Sequence, residues 1–359
     1  MTDHAAALVI DGIHRAQAGG AVYGVAWQGE EALFANGERT LFRIATGSGG
    51  RHQPVHAGAI LAVASAGGHV VTGGDDGFAV LASPNEVARF APGDGRRRGV
   101  EAVAVSRQGD VAWAAGCLVT VRRAGREHRL AHPAAVTGLS FVGSAARLAV
   151  THGNAVALWS LDEADGQVRQ VSRLDHRGAH ALPVPSPDGT LLAMALYQPS
   201  LLLWRLADGG LLPLGGISER VRSAAWTADG RWLASAGALR LVLWPAPAPE
   251  APMFSVPILL APWREVVTRV ACHPVAGIVA VGYADGLTLL VRLPDGAEIP
   301  LRSPSGAAVA ALAWNEDGSM LAIGTQDGDC RLLSFGAAQE RPTVNVQPTT
   351  GTCLLAGAA

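Results

Sequence analysis

The chain has no lysine; all 28 of its cationic side chains are arginine. That excludes the phosphate-loop lysine of nucleotide-binding motifs and any lysine Schiff-base chemistry. Charge is scarce and balanced, with 16% charged residues and a net charge of -2, so neither a basic nucleic-acid footprint nor an acidic tail is present. Cysteine is scarce too. Cys117, Cys272, Cys330 and Cys353 lie far apart with no Cys-x-x-Cys pair, which argues against a zinc ribbon and a disulfide framework. No apolar run approaches the ~18 residues of a membrane span, and residues 1–14 lack a basic segment followed by an apolar stretch. The expectation is a cytoplasmic protein with reduced thiols and no membrane or nucleic-acid contact.

What the chain does have is apolar bulk (49%), 44 glycines and 21 prolines, enough for a large core and many turns. It also repeats itself. The stretch from Ala308 through Trp314 and Asp317-Gly318 to Asp327-Gly328 is echoed from Val221 through Trp226 and Asp229-Gly230 to Gly237, and more weakly from Val184 to Ala195. Anchored on the residue before each first turn, the units stand at Trp27, Ala64, Val105, Phe141, Pro185, Trp226, Cys272 and Trp314, spaced 36 to 46 residues apart. That is close to the ~40 to 45 residues of a four-stranded blade.

Each unit reads strand, turn, strand, turn, strand. Asp188-Gly189, Asp229-Gly230 and Asp317-Gly318 make first turns, and Asp76-Gly77, Asp285-Gly286 and Asp327-Gly328 make second turns, as hairpin chemistry requires. The strands, such as Leu201 to Trp204, are continuous apolar runs, so both of their faces must be covered. Radially stacked small sheets provide that cover. No unit offers about 10 residues with a helical stripe, which excludes a helical solenoid. The fold expected is all-β, a single closed β-propeller of eight four-stranded blades, with seven as the alternative.

From about Val22 to Phe335 the sequence resembles the WD-repeat family of β-propellers. The family's closing Trp-Asp pair survives only as its tryptophan, in Leu158-Trp159, Leu203-Trp204 and Leu243-Trp244, followed by Ser160, Arg205 and Pro245. His56, His132 and His176 stand about where the family places a histidine ahead of a blade's first strand. The resemblance implies that such a histidine joins a buried network with an aspartate of the second turn, the position of Asp285 and Asp327, and supports packing. It also implies scaffolding or assembly rather than a reaction. A propeller must close to hide its sheet edges, and Ala7 to Ile10 is the preferred closing strand over Thr343 to Val346. Residues 1–20 are then closing strand and lead-in, 21–335 repeats and 336–359 a C-terminal tail.

Three histidine pairs, His52/His56, His128/His132 and His176/His180, have i, i+4 spacing, but four extended residues span roughly 13 Å, too far for two ligands of one metal. The turn aspartates, Asp75 among them, sit beside glycine for their own backbone hydrogen bonds. No nucleophile elbow, zinc-binding helix or dinucleotide fingerprint is present. No catalytic residue, metal or cofactor is therefore expected.

The sharpest charge cluster is Arg96-Arg97-Arg98, in what reads as a connector between blades two and three. Arg51, Arg129, Arg177, Arg220, Arg264 and Arg302 read as lying in equivalent connectors, which together would form a positive rim suited to a carboxylate-rich or phosphorylated partner. Trp263 beside Arg264 has the composition of an interface hot spot, while Trp113 and Trp232 read as core. The proline-rich stretch Pro245 to Pro257 reads as a stiff connector between blades six and seven. The expected function is non-enzymatic binding of a protein partner through the connector face, as a scaffold or assembly factor. The alternatives are a propeller enzyme or metal-binding protein using channel histidines and acids, and anionic-ligand sensing at the arginine rim.

Overall fold

The computed structural model describes residues 8–82, 87–91, 98–143, 146–162, 168–176, 178, 180–250, 252–253 and 255–337. They form eight four-stranded antiparallel sheets and no helix. Among them, no helix is long and apolar enough to cross a membrane. Blade 1 is Gly24–Gln28, Glu31–Ala35, Thr40–Ile44 and Arg51–Pro54. Blades 2 to 7 repeat the order with first strands Ile60–Ala66, Ala102–Val105, Val136–Phe141, His180–Pro185, Ala224–Trp226 and Val267–Cys272. Blade 8 takes Val309–Trp314, Met320–Thr325 and Asp329–Ala337 from the C-terminal side and its outer strand, Leu8–Gln17, from the N-terminal side.

Each blade's first strand packs against the first strand of the next, and Gly24–Gln28 meets Val309–Trp314, so the ring closes. The N-terminal strand therefore removes the open edge, pairing from Leu8↔Ala337 to Gln17↔Asp329. The competing strand Thr343 to Val346 lies outside the described residues.

Burial explains the strand chemistry. Second strands such as Leu191–Leu196 and Met320–Thr325 are buried throughout, because both faces of each sheet pack against neighbouring blades. Outer strands such as Arg51–Pro54 and Arg169–Asp175 are mostly exposed and carry the polar residues. Glycine sets the spacing where blades approach most closely: a Cβ on Gly282 would stand 2.5 Å from Val309.

The anchor residues that reveal the repeat also join the blades. Trp27 Nε1 donates to Ala313 O at 2.9 Å, Trp226 Nε1 to Val184 O at 3.0 Å and Trp314 Nε1 to Ala271 O at 3.1 Å. Cys272 Sγ makes the same reach to Ala225 O at 3.5 Å. Each bond crosses to the preceding blade and ends on the carbonyl just before its anchor, so one repeated position fixes neighbouring first strands in register.

One expectation is corrected. The proline-rich stretch does not join blades six and seven; it lies inside blade 6, between its third strand Leu241–Pro245 and fourth strand Ile258–Leu260. The repeat phrase ends at Trp244, and the fourth strand is only three residues long, so the sequence signal for it was weak.

Candidate functional site

In a four-stranded antiparallel blade, the inter-blade connectors and second turns emerge on one rim, and the first and third turns on the other. On the connector rim of blade 2, buried His56 bonds Asp76 Oδ1 through Nδ1 at 3.0 Å and Thr72 Oγ1 through Nε2 at 2.9 Å. Asp76 Oδ2 also accepts from the Ala57 amide at 2.8 Å. Burial alone would raise the Asp76 carboxyl, but the Ala57 and Phe78 amides and His56 outweigh it and hold the group below its ordinary value.

Trp263 stands four residues before its blade's first strand, as His56 does, and its indole Nε1 donates to Asp285 Oδ2 at 2.9 Å. A tryptophan thus fills in blade 7 the place the histidine fills in blade 2. His132 holds the equivalent place in blade 4, where it accepts from Trp159 Nε1 at 3.3 Å and lies 4.9 Å from the His152 ring. Burial, then the nearby His152, push its pKa down to about 4. The His176 amide donates to Asn154 O at 3.0 Å. Trp204 is buried, Trp244 Nε1 donates to Ser235 Oγ at 3.1 Å, and Asp327 accepts from Thr325 Oγ1 at 2.5 Å.

Among the described residues, the arginines expected in connectors do not all lie there. Arg51 and Arg129 lie on the outer strands Arg51–Pro54 and Arg126–Ala131, not in connectors, because their blades' last strands begin and end differently from the apolar pattern. Arg51 faces Glu31 at 3.2 Å. Arg302 is buried between blades 7 and 8, donating to Gly286 O at 2.8 Å and facing Asp329 at 3.2 Å. Arg98 is exposed, with its guanidinium over Gly116 in the second turn of blade 3. Arg96, Arg97 and Arg177 lie outside the described residues.

Arg220, Trp263 and Arg264 do share one stretch of the connector rim, at blades 5 to 7. Arg220 stacks on the exposed Tyr197 ring at 3.9 Å. The Ser218 and Glu219 amides donate to Gly237 O, the Gly237 amide to Val267 O and the Trp263 amide to Leu239 O, so two connectors and one turn form a single hydrogen-bonded ledge. Gly237 takes φ +96° there, and a Cβ would stand 2.8 Å from Glu219 O. Leu239 and Trp263 are exposed on this ledge, and Arg264 lies 3.6 Å from Asp285.

Nearer the channel are two arginines the sequence pattern did not single out. Ser223 Oγ bridges to the Val270 backbone, which sets Arg222 alongside Arg269. Arg269 Nε donates to Ala310 O at 2.6 Å, and burial followed by the Arg222 charge lowers its pKa. Among the described residues neither guanidinium makes an ion pair, so this part of the rim carries unbalanced positive charge. The available signal was Arg269 inside the first strand Val267–Cys272; Arg222, just ahead of the strand Ala224–Trp226, gave none. Flat guanidinium groups beside exposed aromatic faces suit carboxylate or phosphate oxygens. Among the described residues no three histidine, cysteine, aspartate or glutamate side chains converge on a point that could hold a metal ion.

Eight closed four-stranded blades define an eight-bladed β-propeller. Residues 270–355 match the family model described as the anaphase-promoting complex subunit 4 WD40 domain. The match covers about a quarter of the chain, which is similar to that WD40 domain over those residues, while the closed ring of blades shows the β-propeller fold. The structure of a computationally designed protein, Ika8, superimposes with a TM-score of 0.72 at 17% identity, covering 89% of this chain and 97% of that one. That likeness concerns the fold alone. No curated protein matches the chain in sequence. WD40 propellers commonly mediate protein–protein interaction and are generally non-enzymatic scaffolds.

Proposed function

We propose that the protein is a cytoplasmic, non-enzymatic scaffold that docks an acidic or phosphorylated segment of a protein partner on the connector rim of blades 5 to 7. The observation that carries this reading is the ledge on which Arg220 covers exposed Tyr197 while Trp263 and Arg264 stand beside Leu239. Tryptophan, tyrosine and arginine are the residues enriched where interfaces concentrate binding energy. A ledge tied by backbone hydrogen bonds loses little conformational entropy on association. Arg222 and Arg269 extend the positive field toward the channel and favour a partner of opposite charge.

The test is affinity capture from the native organism with quantitative mass spectrometry, comparing the wild type with the Arg220→Ala/Arg264→Ala double variant. A partner enriched by the wild type should be lost by the variant at unchanged thermal stability, and its capture should weaken at high salt. An identical set of captured proteins with both forms would overturn the proposal.

A further inference from the structure

A groove of about 1300 Å³ crosses blades 5 to 8 on the rim opposite the connectors. It exceeds the ~300 to 1,000 Å³ of small-molecule pockets. Its inner bank is the first turns of these four blades. Its outer bank is Pro245, Pro247 and Pro249 of blade 6 with Leu293 and Pro294 of blade 7. Arg205 NH1 reaches Ala248 O at 3.4 Å and Ser255 Oγ donates to Pro245 O at 2.9 Å, so the proline-rich loop is held as a wall.

The banks are preformed. Asp188 accepts from Ser186 Oγ at 2.5 Å, Asp229 from Thr227 Oγ1 at 2.6 Å and Asp317 from Ser319 Oγ at 2.6 Å, each fixing its own turn. His273 joins two turns: its Nδ1 accepts from the Val275 and Ala276 amides, and its Nε2 donates to Gly318 O at 3.1 Å. Apolar side chains nevertheless stand open in the groove. Val275 is 76% exposed and Ile299 42%.

Charge selects the occupant. Arg205 and Arg292 lie against Asp208 and Asp295 of their own turns and bring no net charge. Arg147 reaches this rim from blade 4, donating to Gly189 O at 2.9 Å. Asp229 has only the exposed Arg231 at 3.7 Å, and Asp188 and Asp317 have no ion-pair partner among the described residues. Hydroxyl and amide donors on Asp317 hold it ionised. At Asp188 burial opposes ionisation, and similar donors prevail. The groove therefore combines apolar walls with uncompensated carboxylates.

We infer that this groove binds an extended, basic segment of a partner protein, with apolar side chains at Val275 and Ile299 and arginine or lysine side chains at Asp188 and Asp317. The inference is independent of the connector rim, whose chemistry has the opposite sign. A scaffold with both surfaces would hold an acidic partner on one rim and a basic one on the other.

The probe is a random dodecapeptide library displayed on phage and selected on the immobilised full-length chain. Enriched peptides should carry net positive charge and alternating apolar residues. Their affinity should fall about tenfold or more with Val275→Arg or Ile299→Arg, exposed positions that the fold tolerates. Asp188→Asn/Asp317→Asn should weaken binding severalfold and flatten its salt dependence. Arg220→Ala/Arg264→Ala should change nothing. Selection of acidic peptides, no enrichment, or binding that survives both arginine substitutions would overturn the inference while leaving the connector-rim proposal standing.

Discussion

Replacing Asp76 with alanine tests whether the histidine network of blade 2 supports the ring. The carboxylate accepts from His56 Nδ1 at 3.0 Å, the Ala57 amide at 2.8 Å and the Phe78 amide at 3.2 Å. Ala57 is exposed, so water replaces that bond, but His56 is 3% exposed and keeps only Thr72. A buried donor left without a partner costs about 1–3 kcal/mol and each ordinary hydrogen bond about 1 kcal/mol, so Asp76→Ala should destabilise by about 2–4 kcal/mol. Urea unfolding followed by tryptophan fluorescence should show a lower midpoint at unchanged slope. Because the Asp76 carboxyl lies below 3.8 in the folded chain, its contribution is complete above that pH and lost as acid protonates it. The gap between wild type and variant should therefore shrink on acidification. Asp295→Ala is the control, since both partners of its pair are half exposed and screened, and it should not move the midpoint. Equal midpoints for Asp76→Ala and the control would refute the reasoning.

Three further outcomes follow from buried groups. His132 has a folded pKa of about 4 against 6.5 unfolded, so its contribution is complete above pH 6.5 and falls between pH 6.5 and 4, by up to about 3 kcal/mol; a His132→Gln variant should lack that slope in urea titrations across the window. Burial, the leading cause, pushes the Cys330 thiol up to about 12, so iodoacetamide at pH 8 should label it only after denaturation, as peptide mass spectrometry would show. Arg302→Met removes the bond to Gly286 O but leaves Asp329 paired with Arg331 at 2.9 Å; the cost should be about 1–3 kcal/mol, below the 3–5 of an orphaned buried charge, and measurable as a urea midpoint shift.

The ring was legible because two local signals agreed: unit length near 40 residues and Asp-Gly turns between apolar runs. The anchor positions Trp27, Trp226, Cys272 and Trp314 carried more than spacing, since all four make the inter-blade bond. The arginines were less legible. An outer strand such as Arg126–Ala131 is polar because one side faces water, and in sequence it looks like a connector. Arg302 reads as a surface cation because neither Gly286 nor Asp329 is near it in the chain. The groove was illegible for a different reason. Each first-turn aspartate, Asp188, Asp229 and Asp317, is explained by its own turn, and only the stacking of blades 5 to 8 gathers these three turns and the His273 turn on one rim.

That same topology bears on communication between the rims. The bonds from Trp226, Cys272 and Trp314 to preceding blades, and those from Thr268 to Val309 O and Arg269 to Ala310 O, hold the first strands of blades 5 to 8 as one wall between the connector ledge and the groove. A packed wall with a single arrangement offers no second state for either occupant to select, and coupling requires such a state. The ledge residues Arg220 and Arg264 share no hydrogen-bond partner with Val275 or Asp317. Substitutions on the two rims should then add within about 0.5 kcal/mol. The affinity of a groove-selected peptide, measured by fluorescence anisotropy on wild type, Arg220→Ala/Arg264→Ala, Val275→Arg and the combined variant, should show that additivity. A departure well beyond it would mean that the wall between the rims moves.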